Sequence, residues 1–186
     1  MPELPTRRFG RLPGDPSKAE MIARMIRVDQ AGEYGAKRIY EGQLAVLGSR
    51  PDAEAIRRMA ATEDEHLAHF DKMMVDRRVR PTVLHPIWHF AGFALGAGTA
   101  LLGRSAAMAC TAAVEDVIEQ HYAEQAARLG AEDSELKSTI EKFRGEEIEH
   151  RETALAEGAA QAPGYPLLTG AVKAGSRLAI WLSERF

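Results

Sequence analysis

Apolar residues return along this chain at intervals of three and four, the period of an amphipathic α-helix. Ile22, Ile26, Ala36, Tyr40, Leu44 and Leu47 share a face with Asp29 and Glu33, predicting a first helix over about 17–47 that Gly48 stops. Pro51 and Asp52 open a second, running to about 79, with Ile56, Met59, Glu63, His66, Phe70 and Met74 on one side. Met108, Ala112, Glu115, Ile118, Tyr122 and Leu129 mark a further helix over about 105–129, ended by Gly130. Leu136, Ile140, Phe143, Glu147, His150 and Ala154 mark another over about 133–159. Between these two pairs lies a stretch, 81–103, without one Lys, Arg, Asp or Glu, and a mostly apolar sixth helix is expected over about 165–186.

Acids and histidines inside the apolar stripes carry the candidate chemistry. Glu63-Asp64-Glu65-His66 and Glu147-Ile148-Glu149-His150 share the form Glu-x-x-His, and each follows a solitary glutamate, Glu33 or Glu115, by thirty or thirty-two residues. Tyr40 and Tyr122 each stand seven residues after that glutamate, Gln43 and Gln125 ten after it, so the chain reads as a duplicated helix pair. Residues three apart on a helix differ by about 60° and point into one cavity, while seven residues are almost two turns and stack each Tyr over its Glu. One Glu from each of two helices, with Glu-x-x-His from each of two others, is the donor set of di-iron and di-manganese carboxylate bundles. Zinc would ask for fewer oxygens and more His or Cys. A single Glu-x-x-His is usually a solvated surface pair, but two copies in matching frames with matched partners are far harder to obtain by accident. The expected fold class is therefore all-α, a ferritin-like four-helix bundle with two additional apolar helices, one a crossover and one C-terminal. Residues 17–186 form a single domain in this reading, after a flexible arm over 1–16.

Composition narrows the setting. A net charge of −3 and a pI near 6.1 give no reason to expect nucleic acid. Cys110 stands alone, which excludes an intrachain disulfide and a Cys-x-x-Cys centre. The first sixteen residues, with four Pro and three Arg, resemble neither a signal peptide nor a membrane anchor. After Pro86 the uncharged stretch keeps about 16 helical residues, roughly 24 Å and short of a bilayer core. A single crossing would also put Glu33, Glu63 and His66 on the opposite side from Glu115, Glu147 and His150. The segment is instead expected to lie in the membrane interface, with Trp88, Phe90, Phe93 and Leu95 dipping into lipid and admitting substrate. Arg77, Arg78, Arg80 and Arg104 bracket it and suit anionic head groups. A buried crossover is the plainer alternative. Gly92, Gly96, Gly98 and Gly103 form no nucleotide-binding fingerprint. Gly32 and Gly35 flank Glu33 inside a helix, at about 1 kcal/mol each relative to Ala, and serve either tight packing or close approach of a ligand. His121, beside Tyr122, is a candidate for work close to the metal, whereas His69 has no counterpart after His150 and is left out of the ligand set. The 165–186 segment serves equally as a bundle wall or a second membrane contact.

Several stretches resemble the 5-demethoxyubiquinone hydroxylases: residues 27–36 (RVDQAGEYGA), 79–84 (VRPTVL), 92–103 (GFALGAGTALLG), 109–111 (ACT) and the closing 182–185 (LSER). The likeness covers nearly all of 21–186. It implies a membrane-associated di-iron monooxygenase that uses O2 to hydroxylate the ring of a polyprenyl demethoxy-benzoquinol in ubiquinone biosynthesis. Its metal ligands fall on Glu33, Glu63, His66, Glu115, Glu147 and His150, with two iron ions per chain. Gln30 and Arg151 stand where members often have His. No flavin or dinucleotide motif is present, so electrons come from outside, with NADH the donor the resemblance implies. It further implies other ubiquinone-biosynthesis or lipid-binding proteins as partners, and the apolar segment suits self-association. The expected location is the cytoplasmic face of a bacterial inner membrane, or the matrix face of the mitochondrial one for a trimmed eukaryotic form. Tyr122 and His121 are the candidates for orienting ligands or relaying protons and electrons. The alternative is a ferritin- or rubrerythrin-like handler of iron or peroxide. One cysteine cannot build the iron domain rubrerythrins usually add, and a cage has no use for an uncharged surface segment. A metal-free helical adaptor is a rival of another class, and stoichiometric metal in the pure protein would remove it.

Overall fold

A computed structural model describes residues 15–129 and 133–186. Most of the expected N-terminal arm, and Gly130, lie outside the described residues. Six helices follow one another: α1 (Lys18–Leu47), α2 (Glu54–Asp76), α3 (His85–Leu101), α4 (Arg104–Arg128), α5 (Ser134–Ala156) and α6 (Tyr165–Ser183). Among the described residues there is no strand.

Their ends follow from local chemistry. Ser17 begins α1 through a capping box: its hydroxyl accepts from Glu20 N at 3.1 Å and its own N–H donates to the Glu20 carboxylate at 2.6 Å. Asp133 caps α5 by accepting from Leu136 N. Gly103, at φ 115°, makes the turn from α3 into α4 that a side chain would resist.

The helix pairs α1/α2 and α4/α5 form the bundle, and two apolar clusters fill it. One gathers Ile26, Phe70, Ile118, Leu136, Ile140 and Phe143, the other Leu47, Ile56, Met59, Met108 and Ala154. Tyr122 belongs to the first cluster and Tyr40 to the second, so the polar layer between the two tyrosines is sealed at both ends. Helix α4 is buried at every position from Ala106 to Glu115, mostly by small residues, because α3 and α6 cover the sides that α1 and α5 leave.

The crossover lies against α1 almost backbone to backbone. A Cβ at Gly96 would collide with the Ile39 carbonyl, and one at Gly42 with the Phe93 carbonyl. Within the glycine-rich run it is Gly92 and Gly96 that this close approach needs. No helix among the described residues is long and apolar enough to cross a membrane.

Candidate metal centre

Four helices each send one or two donors into the sealed layer. Glu33 (α1), Glu63 and His66 (α2), Glu115 (α4), and Glu147 and His150 (α5) are all buried, at 0 to 6 % exposure. The donors form two overlapping groups, Glu33–Glu63–His66–Glu147 and Glu63–Glu115–Glu147–His150, in each of which one ligand atom per residue lies within 4.8 Å of every other. Glu63 and Glu147 belong to both groups, the arrangement that two ions sharing bridging carboxylates would need. Each ion would then add one further Glu and one His.

Eight of these donor atoms have no hydrogen-bond partner outside the cluster itself: Glu33 Oε2, both oxygens of Glu63, Glu115 Oε2, both oxygens of Glu147, and Nδ1 of His66 and of His150. Buried polar atoms without satisfying partners are costly, and eight converging on one spot would suit a pair of cations. Oxygen-rich donors with two imidazoles suit iron or manganese.

The charges tell the same story. Burial, and then the neighbouring carboxylates of Glu147, Glu33 and Glu115, push Glu63 well above the ordinary carboxylate range. Burial and Glu147 do the same to Glu115. Burial acts against Glu147 as well, but His150 and His66 beside it outweigh burial and bring it down to about 2. Burial lowers His66, yet Glu147 and Glu33 together lift it to about 11. Four carboxylates in one dry layer cannot all be ionised without cations, so in the metal-free protein protons stand in for metal.

The tyrosines pair crosswise. Tyr40 donates to Glu115 Oε1 at 2.8 Å, and Tyr122 to Glu33 Oε1, so each reaches the glutamate of the other helix rather than the one on its own. The seven-residue spacing puts each Tyr on the metal-facing side, and the antiparallel run of α1 and α4 decides which Glu it meets. Gln125 extends the pattern, donating to Asp29 Oδ1 at 2.7 Å and lying 2.7 Å from His121 Nε2. His121 lies 3.6 Å from Asp29 and touches none of the candidate ligands among the contacts of the described residues. His69 turns away to Thr139, Gln30 donates to Asp71 and Arg151 to Asp116.

An apolar cavity of about 300 Å³ lies among α1, α3, α4 and α6. Its walls include Gly32 and Ala36 on either side of Glu33, Val114 and Ile118 around Glu115, Trp88 and Leu95 from α3, and Ile180 from α6. Gly32 faces open space, so of the two readings of that glycine the ligand approach is the one the packing favours. The four α3 residues expected in lipid divide. Phe90 is 73 % exposed, Phe93 lies under the Arg38 guanidinium, and Trp88 and Leu95 turn inward to the cavity, Trp88 donating to Ser183 Oγ at 3.0 Å. Sequence reasoning missed Asp29 and Glu146, the latter 2.8 Å from His66 Nε2. Only its place beside Glu147 marked it.

A helical bundle that gathers four buried carboxylates and two histidines in two overlapping sets has the donors with which carboxylate-bridged two-metal proteins hold their ions. Residues 20–183 match the family described as ubiquinone biosynthesis protein COQ7, and the chain belongs to that family. It is 62 % identical over 176 residues to the 3-demethoxyubiquinol 3-hydroxylase of Rhodospirillum rubrum, covering 94 % of this chain and 83 % of that one. The mitochondrial NADPH-dependent 3-demethoxyubiquinone 3-hydroxylase of Homo sapiens is 53 % identical over 168 residues, covering 88 % and 77 %. The mitochondrial 5-demethoxyubiquinone hydroxylase of Saccharomyces cerevisiae is 41 % identical over 186 residues, covering 91 % and 80 %.

Proposed function

We propose that this chain is a two-iron monooxygenase that places one hydroxyl on the ring of a demethoxyubiquinol at the membrane surface. Family membership makes it a hydroxylase of ubiquinone biosynthesis. The observation that carries the metal assignment is the set of eight converging donor atoms with no partner outside their own cluster.

In this reading Glu33, Glu63, His66, Glu115, Glu147 and His150 hold two iron ions, which supply the reduction of O2 and the transfer of one of its oxygen atoms. The protein does the rest. Ile118, Val114 and Leu95 keep the cavity dry, so an electron-rich ring meets the oxidant without competing water. Tyr122 and Tyr40 fix the Glu33 and Glu115 carboxylates by hydrogen bonds, and their phenols stay protonated because burial, and then nearby carboxylates, raises both well above the usual tyrosine range. His121 and Gln125 hold Asp29 behind this layer.

Overall, ring C–H, O2, two electrons and two protons give ring C–OH and water. The electrons come from a reduced nicotinamide nucleotide; several relatives are named NADPH-dependent, which favours NADPH over NADH. The polyprenyl tail enters between α3 and α6, where Val83, Ile87 and Phe90 on one side and Leu178, Trp181 and Phe186 on the other expose apolar surface.

Iron-loaded protein given NADPH, demethoxyubiquinol in lipid vesicles and 18O2 should yield a product carrying one 18O on the ring by mass spectrometry. Unlabelled product, or none, would remove the monooxygenase assignment.

A further inference from the structure

The two halves of the donor set differ behind their histidines. His66 presents Nδ1 to the cavity, 3.4 Å from Glu33 Oε2 and 3.2 Å from Glu147 Oε1. Its other nitrogen, Nε2, lies 2.8 Å from Glu146 Oε2. The second oxygen of Glu146 is 3.5 Å from Lys142 Nζ, one turn back on α5. Lys142 also sits over the Phe143 ring, and that ring stacks on His66 with centroids 4.0 Å apart and planes 23° from parallel. Three side chains of α5 therefore clamp one imidazole of α2 in tilt, rotation and tautomer.

His150 has no such clamp. Its Nδ1 faces Glu63 at 3.0 Å and Glu147 at 3.4 Å, and Nε2 has no protein partner among the described residues. In the duplicated frame Thr62 stands where Glu146 would be needed, and its hydroxyl donates instead to Arg58 O in its own helix. The rings near His150 are His66, with centroids 6.3 Å apart, and Tyr40, edge-on at 6.5 Å, and neither stacks on it as closely as Phe143 does on His66.

A carboxylate accepting the outer N–H of a ligating imidazole keeps the proton on that nitrogen, holds the ring plane and raises the basicity of the inner nitrogen. We propose that Glu146 is a positioning residue for His66, and that it makes the two metal positions unequal. The position formed by Glu33, Glu63, His66 and Glu147 fills first and holds its ion more tightly than the position formed by Glu63, Glu115, Glu147 and His150. The proposal rests on the metal assignment above. Loss of such an outer partner typically weakens metal binding about 10- to 100-fold. The Glu146 side chain is 31 % exposed, so solvent screens it and the lower end of that range is expected here.

The test is a titration of the metal-free full chain with Co(II), followed by calorimetry and by the visible absorption of the bound ion. Wild type should take up two ions in two resolved steps. Glu146→Leu should weaken the tighter step by about tenfold, leave the weaker one in place and merge the two. Glu146→Gln, whose carbonyl still accepts the His66 N–H, should restore the separation. In proton spectra of the Co(II)-loaded wild type, one shifted imidazole N–H should exchange slowly with water, and Glu146→Leu should abolish that protection. Two equal steps in wild type, or a Glu146→Leu change that moves neither step or both alike, would overturn the proposal. A folded wild type that takes up no Co(II) would overturn the metal assignment itself, and the asymmetry with it. Helicity should stay at the wild-type value in both variants, which separates loss of the clamp from loss of the fold.

Discussion

Glu147 and Glu63 occupy equivalent places in the duplicated frame and carry opposite burdens when metal is absent. Glu147 is the counter-charge for His66 and His150; its folded pKa of about 2 lies below the ordinary 4.5, so its contribution is present above 4.5 and lost as pH falls toward 2. Glu63 is raised by burial and its neighbours, so the folded state favours its proton and its contribution is lost as pH rises. Thermal melts of the metal-free protein should therefore separate the two. Glu63→Gln should match wild type in acid and be the more stable at pH 8, whereas Glu147→Gln should be less stable throughout the neutral range. Each kcal/mol corresponds to about 2–4 °C in a chain of this size. Neither variant should bind iron in two-ion stoichiometry. Asp29 behaves like Glu63: burial lifts it from 3.8 to about 6, against hydrogen bonding from His121. Its contribution is full below 3.8 and lost as pH rises through 6, so Asp29→Asn should gain on wild type across that window by on the order of 2–3 kcal/mol. Equal pH profiles for the two proteins would contradict the assignment of a buried, protonatable Asp29.

Among elements, the α1–α3 contact is the one most sensitive to a single methyl group. Gly96→Ala and Gly42→Ala would each drive a Cβ into a carbonyl of the facing helix, and neither backbone has room to withdraw without moving α3 off the bundle. Each should cost about 1–3 kcal/mol or more by overpacking. Gly98→Ala, with nothing near its Cβ, should instead stabilise by about 0.5–1 kcal/mol through helix propensity. Chemical denaturation of the three variants checks the contrast. This contact also marks where the sequence stopped being readable. The periodic apolar faces of α1, α2, α4 and α5 announced themselves, because an amphipathic stripe is a local property. The metal donors stood out because they repeat in frame. Gly96 and Gly42 gave no hint of their partners, since close approach is a property of two helices at once. Glu146 was hidden for a related reason: its counterpart is Thr62, so the duplication that exposed His66 and His150 could not point to it.

For the whole molecule, the proposed substrate path runs from the exposed apolar rim of α3 and α6, through the apolar cavity, toward the candidate metal layer. Leu101, Leu167 and Phe90 are each more than 70 % exposed, and the proposed membrane contact would cover such surface. Phe90→Glu should lower binding to anionic lipid vesicles roughly tenfold, the loss expected when one buried aromatic side chain is removed from the contact, while leaving iron content unchanged. Co-sedimentation with vesicles measures the first and elemental analysis the second. The family resemblance read from residues 27–36 and 92–103 placed the chain among hydroxylases before any helix was positioned. The crosswise Tyr–Glu pairs, the inward turn of Trp88 and the cavity itself needed the fold, because they depend on which helices become neighbours and in which direction they run.

The most direct test of the account is the iron content of the purified, iron-reconstituted chain, taken together with the near-ultraviolet spectrum of its oxidised form. Close to two irons per chain, with the absorption of a bridged iron pair, is the predicted result. A folded, helical protein that holds no iron would contradict it.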